Sequence, residues 1–319
     1  MQTELLNQLT ALVGPQFTTT ISNILNNYDI TRKTSPAPAS NNQLLNSFLS
    51  AKRIEGKSAK TLAYYKNTLV RLISTIKKPI KQTSTDDLRT YLSEFQSING
   101  SSNVTIDNIR RIFSSFFSWL EDEDFIVKSP VRRIHKVKTT RVVKETLSDE
   151  ELERIRESAT SYRDRAIVEF LASTGVRVGE IVNLNISAIK FDDRSAIVLG
   201  KGNSEREIYF DARAKLHLER YLRTRTDTNE ALFVSNKIPN NRLTIGTIES
   251  IVKKIGEKSS VNHVHPHKFR RTLTTRAIDK GMPVEQVQKL LGHVRIDTTM
   301  HYAMVNQTNV KISHRKYIG

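Results

Sequence analysis

The fold class of this 319-residue chain depends on one stretch, residues 195–210, which reads SAIVLGKGNSEREIYF. Residues 195–200 and 205–210 are predicted to be two strands that flank Lys201-Gly-Asn-Ser204, a hairpin with a glycine at its tip. Elsewhere the apolar residues recur mostly with helical spacing, and everything after Asp211 returns to that spacing. We therefore expect a mainly α-helical protein with a small antiparallel β-sheet.

Upstream of this stretch, residues 43–126 have the pattern of a small helical bundle. Four groups of apolar residues at helical spacing are separated by short polar turns. The third helix is predicted to begin at the capping sequence Ser84-x-x-Asp87. Basic residues fall between the apolar positions, and we expect on the outside of the bundle Lys57, Lys60, Lys66, Arg110 and Arg111.

Composition and capping signals divide the rest of the chain. The break at Gly14-Pro15 separates two short amphipathic helices, and a segment rich in Pro, Ser, Ala and Asn follows them. Ser148-Asp-Glu-Glu151 is a capping box that opens the first helix after a basic, aperiodic segment. The predicted divisions are a helical N-terminal extension at 1–33, a linker at 34–42, a basic linker at 127–146 and a second domain at 147–319.

The charge of the chain indicates a polyanionic partner. The chain has 50 Lys and Arg residues and 33 Asp and Glu residues, which give a net charge of +17. Residues 41–140 contribute +8 and residues 141–319 contribute +9, whereas residues 1–40 are neutral. Nucleic acid is the first candidate for the partner, and an anionic membrane surface is the second.

Several classes of protein are excluded by composition. The chain has no cysteine, which excludes disulfide scaffolds, cysteine-ligated zinc and thiol nucleophiles. No run approaches the roughly 18 apolar residues of a membrane span, and the N-terminus lacks the basic and apolar regions of a signal peptide. We therefore expect a cytoplasmic protein without a membrane span.

A histidine cluster is the first candidate for chemistry. Five of the eight histidines fall within 39 residues: His263, His265, His267, His293 and His301. The alternation of the first three is compatible with a metal site, but Pro266 interrupts it and no acidic or sulfur ligand stands near. A second interpretation is a basic helix whose histidines are solvated.

The third interpretation is a site that processes phosphate. His267 and Arg270 are three residues apart, which on a helix places them on one face. A guanidinium binds two non-bridging phosphate oxygens, and an adjacent imidazole donates a hydrogen bond or moves a proton. His293 follows a glycine at a predicted helix end, and nine residues later Tyr302 offers a phenol, which needs cationic surroundings and a base to become a nucleophile.

Taken together, these residues resemble the tyrosine recombinase family of phage integrases and Xer-type recombinases. The similarity in motif order and spacing extends from Gln43 to about Val305. Five boxes carry it: Thr174-Gly-Val-Arg177-Val-Gly-Glu180, Gly200-Lys201-Gly202 with Glu205-Arg206, His267-x-x-Arg270, Leu291-Gly-His293, and Tyr302. One departure is Arg271, which stands where many members of the family have a histidine.

The resemblance implies a role for each of these residues. Arg177 and Arg270 would clamp the scissile phosphate and stabilise the charge of the transition state, with Glu180 orienting the arginines. Lys201 would donate a proton to the leaving 5′ oxygen.

The remaining roles concern the nucleophile and its surroundings. Tyr302 would attack the phosphate to give a 3′-phosphotyrosine, His267 would act as acid or base near it, and His293 would hydrogen-bond a non-bridging oxygen. The free 5′ hydroxyl of another strand would reverse the step. The bond energy stays in the covalent link, so the resemblance implies no metal, ATP or other cofactor.

The resemblance also implies an architecture and partners. Residues 43–126 would be a SAM-like core-binding domain and residues 147–319 an α+β catalytic domain, which close around double-stranded DNA as a clamp. Four protomers would assemble on two DNA sites in a synaptic complex. Apart from the resemblance, we hypothesise that the neutral extension 1–33 adds a protein contact. The outcome, whether integration, excision, inversion or dimer resolution, is set by the DNA sites.

Alternatives stand beside this interpretation. Taken singly, Arg177 could be a surface arginine after a helix end, Lys201 a solvated turn residue, and Tyr302 a packed aromatic. A DNA-binding protein built on the same fold that no longer cuts is a rival of another class, and the complete set of candidate residues argues against it. A type IB topoisomerase is a rival with similar chemistry but without two defined sites.

Overall fold

The computed structural model describes residues 2–28, 39–139, 145–200 and 205–292. Most of these residues are helical, and the one sheet among them has three antiparallel strands, which confirms the predicted fold class. Contacts divide the chain into two compact units, Met1–Arg141 and Val142–Gly319. Among the described helices, none combines the length and apolar character that a membrane span requires.

The first unit begins with two short helices, α1 (Gln2–Val13) and α2 (Thr18–Leu25). A single turn of 3₁₀ helix after Gly14 separates them, at the predicted break. The pair leaves several large apolar side chains exposed, namely Leu12, Val13, Phe17, Ile24 and Tyr28. Two short helices are too small to enclose a core of their own, so these side chains form an apolar surface.

Four longer helices follow: α3 (Asn41–Ile54), α4 (Ala59–Ile76), α5 (Thr85–Asn99) and α6 (Asn103–Asp122). Each one begins after a serine whose hydroxyl accepts a hydrogen bond from the third helical amide, and these caps are Ser40, Ser58, Ser84 and Ser102. Such a cap stabilises a helix by about 1 kcal/mol. The first of the four helices starts inside the predicted linker 34–42, because Ser40 and its capping box fix the start at Asn41.

The core of this bundle is aromatic. Phe48 packs edge-on against Phe116, with ring centroids 5.1 Å apart, and Trp119 lies 5.7 Å from Phe48. Lys57, Lys60, Lys66 and Arg111 are exposed, as predicted. The apolar stripes of the four helices therefore meet at one core, and the basic residues lie around it.

The prediction that Arg110 lies on the outside of the bundle is wrong. Its side chain is only 15% exposed, because its Nε donates a 2.8 Å hydrogen bond to the buried carboxylate of Asp107. The same carboxylate accepts the backbone N–H of Val137 at 3.2 Å. Arg110 thus pairs with the carboxylate that connects α6 to the basic segment after it.

The second unit is α+β. Its helices, in chain order, are α7 (Asp149–Ser158), α8 (Tyr162–Thr174), α9 (Val178–Asn183), α10 (Ala212–Arg223), α11 (Ile245–Lys258), α12 (Pro266–Asp279) and α13 (Val284–Leu291). The predicted capping box at Ser148 opens α7. Helix α8 is the centre of the unit, since its residues 166–171 are all buried and it packs against α10 and α12.

The sheet contains the predicted hairpin and a short third strand. Strands β1 (Ile189–Lys190), β2 (Ser195–Leu199) and β3 (Glu205–Tyr209) pair in that order. The inner face buries Ala196 opposite Ile208. Residues 201–204, the tip of the hairpin, lie outside the described residues. The two-residue strand β1 escaped prediction because it is too short to show an alternation.

The prediction of helical spacing throughout the region after Asp211 is wrong for residues 224–244. Residues of this stretch form two isolated β-bridges in place of a helix, one between Ala231 and Asn185 and one between Val234 and Arg242. The guanidinium of Arg225 holds the stretch, with Nε donating to Asp227 at 3.0 Å and Nη2 to the carbonyl of Asn229 at 2.5 Å. A polar side chain that bonds several nearby carbonyls stabilises an irregular turn that no periodicity reveals.

Candidate active site

The first candidate arginine lies where two short elements meet. Helix α8 ends at Gly175, whose left-handed φ of 57° turns the chain toward α9. Arg177 precedes α9, and its backbone N–H donates to Glu180 Oε2 at 2.9 Å. Its Nη1 donates to Glu180 Oε1 at 2.7 Å. The carboxylate therefore fixes both the backbone and the side chain of Arg177.

The second candidate arginine is on α12 and is almost completely buried. Nη1 of Arg270 donates to the carbonyl of Gly175 at 2.7 Å, and Nη2 donates to that of Leu291 at 2.6 Å. These carbonyl oxygens orient the guanidinium and carry no charge that would neutralise it. A guanidinium held in this way is preorganised to stabilise an anion.

Both arginines, together with Arg206 of β3, hold the end of α13. Three consecutive carbonyls at this end each accept a guanidinium N–H, in the pairs Arg206 with Leu290 (3.0 Å), Arg270 with Leu291 (2.6 Å) and Arg177 with Gly292 (2.9 Å). The C-terminal end of a helix carries partial negative charge and unpaired carbonyls, so three cations there satisfy both needs. Residue 293 follows directly in the chain.

His267 lies in the first turn of α12, one turn before Arg270, with its ring exposed. Partial desolvation of the ring, followed by the positive charges of Arg270, Arg177 and Arg271, holds the pKa of His267 below its ordinary value of 6.5. The imidazole is therefore neutral at pH 7, and it can accept a proton or a hydrogen bond.

The neighbouring histidines do not form the alternating row that a metal site on a strand needs. His265 caps α12, with its Nδ1 accepting the backbone N–H of Lys268 at 3.2 Å, and His263 lies in a turn at a φ of 54°. The rings of His265 and His267 are 6.5 Å apart. Within the described ranges, no three His, Asp or Glu side chains are grouped to hold a metal ion.

The structure thus places half of the predicted site. It brings Arg177 and Arg270 together at the end of α13 and places His267 one turn before Arg270, while Lys201, His293 and Tyr302 lie outside the described residues. Sequence reasoning placed Arg206 in a motif but gave it no function. Its partner Leu290 is 84 residues away, and no local pattern signals such a contact.

Two family models match the chain. One, described as "Phage integrase family", covers residues 144–309, which is more than half of the chain. The chain belongs to the phage integrase family. The other model, described as "Phage integrase, N-terminal SAM-like domain", covers residues 44–126.

Similar proteins agree with this membership. A tyrosine recombinase XerC from Oceanobacillus iheyensis is 30% identical over 275 residues, which are 80% of this chain and 89% of that protein. A tyrosine recombinase XerC from Corynebacterium glutamicum is 31% identical over 262 residues, 79% of this chain and 84% of that protein. This member of the phage integrase family is a tyrosine recombinase, an enzyme that breaks and rejoins DNA at specific sites through a tyrosine intermediate.

The fold of this phage integrase family member is also found in a solved structure. The XerH site-specific recombinase, crystallised with its palindromic difH substrate as a post-cleavage complex, superimposes with a TM-score of 0.69 at 20% identity. The match covers 96% of this chain and 90% of that chain. The resemblance that the five sequence boxes indicated is therefore confirmed at the level of family and fold.

Proposed function

We propose that this recombinase cleaves DNA with a catalytic set formed by Arg177, Lys201, His267, Arg270, His293 and Tyr302. The observation that carries the proposal is that Arg177 and Arg270 both hold the end of α13, directly before His293 in the sequence, with His267 one turn before Arg270 on α12. Tyr302 follows nine residues after His293 in the chain.

In this reaction the two arginines bind the scissile phosphate. Their carbonyl partners fix the direction of each guanidinium, and Glu180 also holds that of Arg177. Guanidinium groups fixed in this way are suited to bind the non-bridging oxygens. As the pentacovalent transition state forms, negative charge grows on those oxygens, and fixed cations stabilise it more than the ground state. His293 adds a hydrogen bond to one of these oxygens.

Proton transfers accompany the two bond changes. The hydroxyl oxygen of Tyr302 forms a bond to phosphorus while its proton passes to His267, whose neutral ring supports the role of base. The bond to the 5′ oxygen breaks, and Lys201 protonates this leaving group. The products are a 3′-phosphotyrosine and a free 5′ hydroxyl, which attacks in the reverse direction to rejoin a strand.

A nicked DNA site tests this proposal. The wild-type protein, incubated with a candidate recombination site that carries a nick beside the scissile phosphate, should accumulate a covalent adduct in the presence of a chelator. Tyr302→Phe should form none. The candidate sites are the DNA repeats that flank the gene. Absence of an adduct on all of them would favour a binding protein, and an adduct on DNA of arbitrary sequence would favour a topoisomerase.

The charge distribution supports a clamp on duplex DNA. Both large segments of the chain are basic, at +8 and +9, and we propose that each contacts the phosphates on one side of the duplex. Binding should then weaken with salt, with log K falling by about 0.9 per neutralised phosphate for each unit of log salt. A flat dependence on salt would contradict the clamp.

For assembly we propose that four protomers bind two DNA sites in the cytoplasm. We also propose that the N-terminal extension contributes a protein contact to this assembly. The exposed apolar side chains of α1 and α2 support such a contact. The double variant Leu12→Glu, Ile24→Glu should reduce the tetrameric fraction on paired sites in sedimentation while binding of a single site persists. An unchanged tetrameric fraction would exclude this role of the extension.

A further inference from the structure

Arg206, in the strand after the Lys201 hairpin, contacts two other parts of the candidate active site. Nη2 donates to Glu180 Oε2 at 2.6 Å, and Nη1 donates to the carbonyl of Leu290 at 3.0 Å. Glu180 in turn holds the backbone and side chain of Arg177. One guanidinium therefore joins β3, the start of α9 and the end of α13.

We propose that Arg206 is a positioning residue for strand cleavage, which sets Arg177 through Glu180 and holds the end of α13 through Leu290. This inference rests on the proposed function, because it assigns a cause for the geometry of that catalytic set. Arg206 does not bind the phosphate itself.

Burial combined with an ion pair to Glu180 separates this role of Arg206 from phosphate binding. Its side chain is only 10% exposed, and both terminal nitrogens donate to protein acceptors. Its Nε is buried and has no partner among the described residues. Burial lowers the pKa of Arg206, and the opposing charge of Glu180 compensates in part. Arg270 is also buried, but the carbonyls that it contacts carry no charge, and Arg177, which also contacts Glu180, is 32% exposed. Because Arg206 is both enclosed and paired with a carboxylate, it acts on the phosphate only through the groups that it orients.

The packing at Gly292 shows how closely Arg206 approaches the end of α13. A Cβ atom at residue 292 would lie 2.5 Å from Cδ and 2.7 Å from Nε of Arg206. Gly292 also has a left-handed φ of 62°, a conformation that glycine adopts without strain. The side chain of Arg206 thus occupies the space that a larger residue at position 292 would need.

An arginine is required because its two acceptors belong to different elements. A planar guanidinium donates to the carboxylate and the carbonyl at once in fixed directions, whereas a lysine ammonium is a single point charge on a flexible side chain. The variant Arg206→Lys therefore keeps the charge and removes the fixed geometry. A misplacement of about 1 Å in a catalytic group can cost about 100-fold in rate.

The test compares Arg206→Lys with Arg225→Lys in the full-length protein. Arg225 is a matched control, because its guanidinium is similarly buried at 7% exposure and its hydrogen bonds go to Asp227 and to carbonyls within residues 229–232. The readout is the single-turnover rate constant of adduct formation on a nicked site at saturating protein, with DNA affinity and melting temperature measured in parallel. Unfolded molecules lower the amplitude of this reaction and leave its rate constant unchanged.

We expect Arg206→Lys to lower the rate constant by about 10- to 100-fold with unchanged DNA affinity. Arg225→Lys should lower the melting temperature and leave the rate constant as in the wild type. If Arg206→Lys does not fold, Arg206→Gln, which places no charge in the buried site, takes its place with the same expectation. A rate constant equal to that of the control in the folded variant would overturn the inference.

A double-mutant cycle with Glu180→Gln tests the route of the effect. If Arg206 acts through Glu180, the double variant should be little slower than the slower single variant. Fully multiplicative losses would show that the two residues act independently and would overturn the assigned route. These outcomes differ from a failure of the proposed function, in which the wild-type protein itself would form no adduct that depends on Tyr302.

Discussion

The helical bundle and the unit that contains the candidate active site use positive charge in opposite ways. In the bundle, Lys57, Lys60 and Lys66 are exposed around an aromatic core. In the second unit, Arg206 and Arg270 are buried and their N–H groups are fixed on carbonyl and carboxylate oxygens. Under the proposed function, this difference means that exposed cations should contribute by their number to DNA affinity, whereas buried guanidinium groups should contribute by their geometry to the rate of cleavage.

The largest effect should follow from the loss of Arg270. Arg270→Ala removes a fixed cation from the phosphate site, and loss of one such donor costs about 100- to 1,000-fold in rate. The carbonyls of Gly175 and Leu291 also lose their donor, which should lower the free energy of unfolding by about 1–3 kcal/mol each. Single-turnover cleavage at saturating DNA and denaturant melts measure the two effects. A folded Arg270→Ala protein that cleaves at the wild-type rate would break the contrast between the two regions.

The titration of His267 should give the next largest effect. Its pKa lies below 6.5, so the ring is a base at neutral pH and becomes protonated as the pH falls through that lowered pKa. The cleavage rate should then fall by about tenfold for each pH unit below it. Because the unfolded chain takes up this proton at its ordinary pKa of 6.5, the stability of the fold decreases as the pH falls from 6.5 to the lowered pKa, and the rate decreases below that pKa.

A pH profile of the rate constant at saturating DNA checks this expectation. His267→Gln should cleave slowly, and its rate constant should not fall over the pH range in which the wild-type rate constant falls. An acid limb that persists unchanged in His267→Gln would assign the titration to another group.

Two glycines provide a smaller and more selective effect. Gly292 and Gly100 both end helices at a left-handed φ, 62° and 56° respectively, so alanine at either position should cost about 1 kcal/mol of stability. Only at Gly292 does the added Cβ meet a neighbour, the side chain of Arg206. Gly292→Ala should therefore slow cleavage by about tenfold or more, while Gly100→Ala keeps the wild-type rate. Equal rates for the two variants would mean that the end of α13 tolerates displacement.

The smallest effect on rate should come from the surface of the bundle. The triple variant Lys57→Gln, Lys60→Gln, Lys66→Gln removes three exposed charges and leaves the core intact. DNA affinity should fall, and the salt dependence should become shallower by about 0.9 for each phosphate that a lysine no longer neutralises. The cleavage rate constant at saturating DNA should not change. A slower rate at saturation would show that the bundle also shapes the active site.

The same contrast explains what could be predicted from the sequence. The bundle helices, the capping sequence at Ser84 and the hairpin of β2 and β3 depend on neighbours within a few residues, so periodicity and capping rules found them. The burial of Arg110 escaped prediction because it depends on Asp107 and on Val137, which is 30 residues from that carboxylate.

In the candidate site, motif spacing identified residue types and the structure supplied their partners. The contacts of Arg177 with Gly292 and of Arg270 with Gly175 span 115 and 95 residues. Carbonyl oxygens are present at every residue, so no side-chain pattern marks the ones that receive a guanidinium. Arg206 is for this reason a residue whose contacts with Glu180 and Leu290 the sequence did not indicate.

The central claim is that Tyr302 becomes covalently joined to the 3′ phosphate of a cleaved strand. The most direct measurement is mass spectrometry of the trapped adduct after nuclease and trypsin digestion. The tryptic peptide 296–311 contains Tyr302 as its one tyrosine, and we expect it to bear the nucleotide while the released DNA end bears a 5′ hydroxyl. A nucleotide on any other peptide, or a 5′-phosphate linkage, would contradict the account.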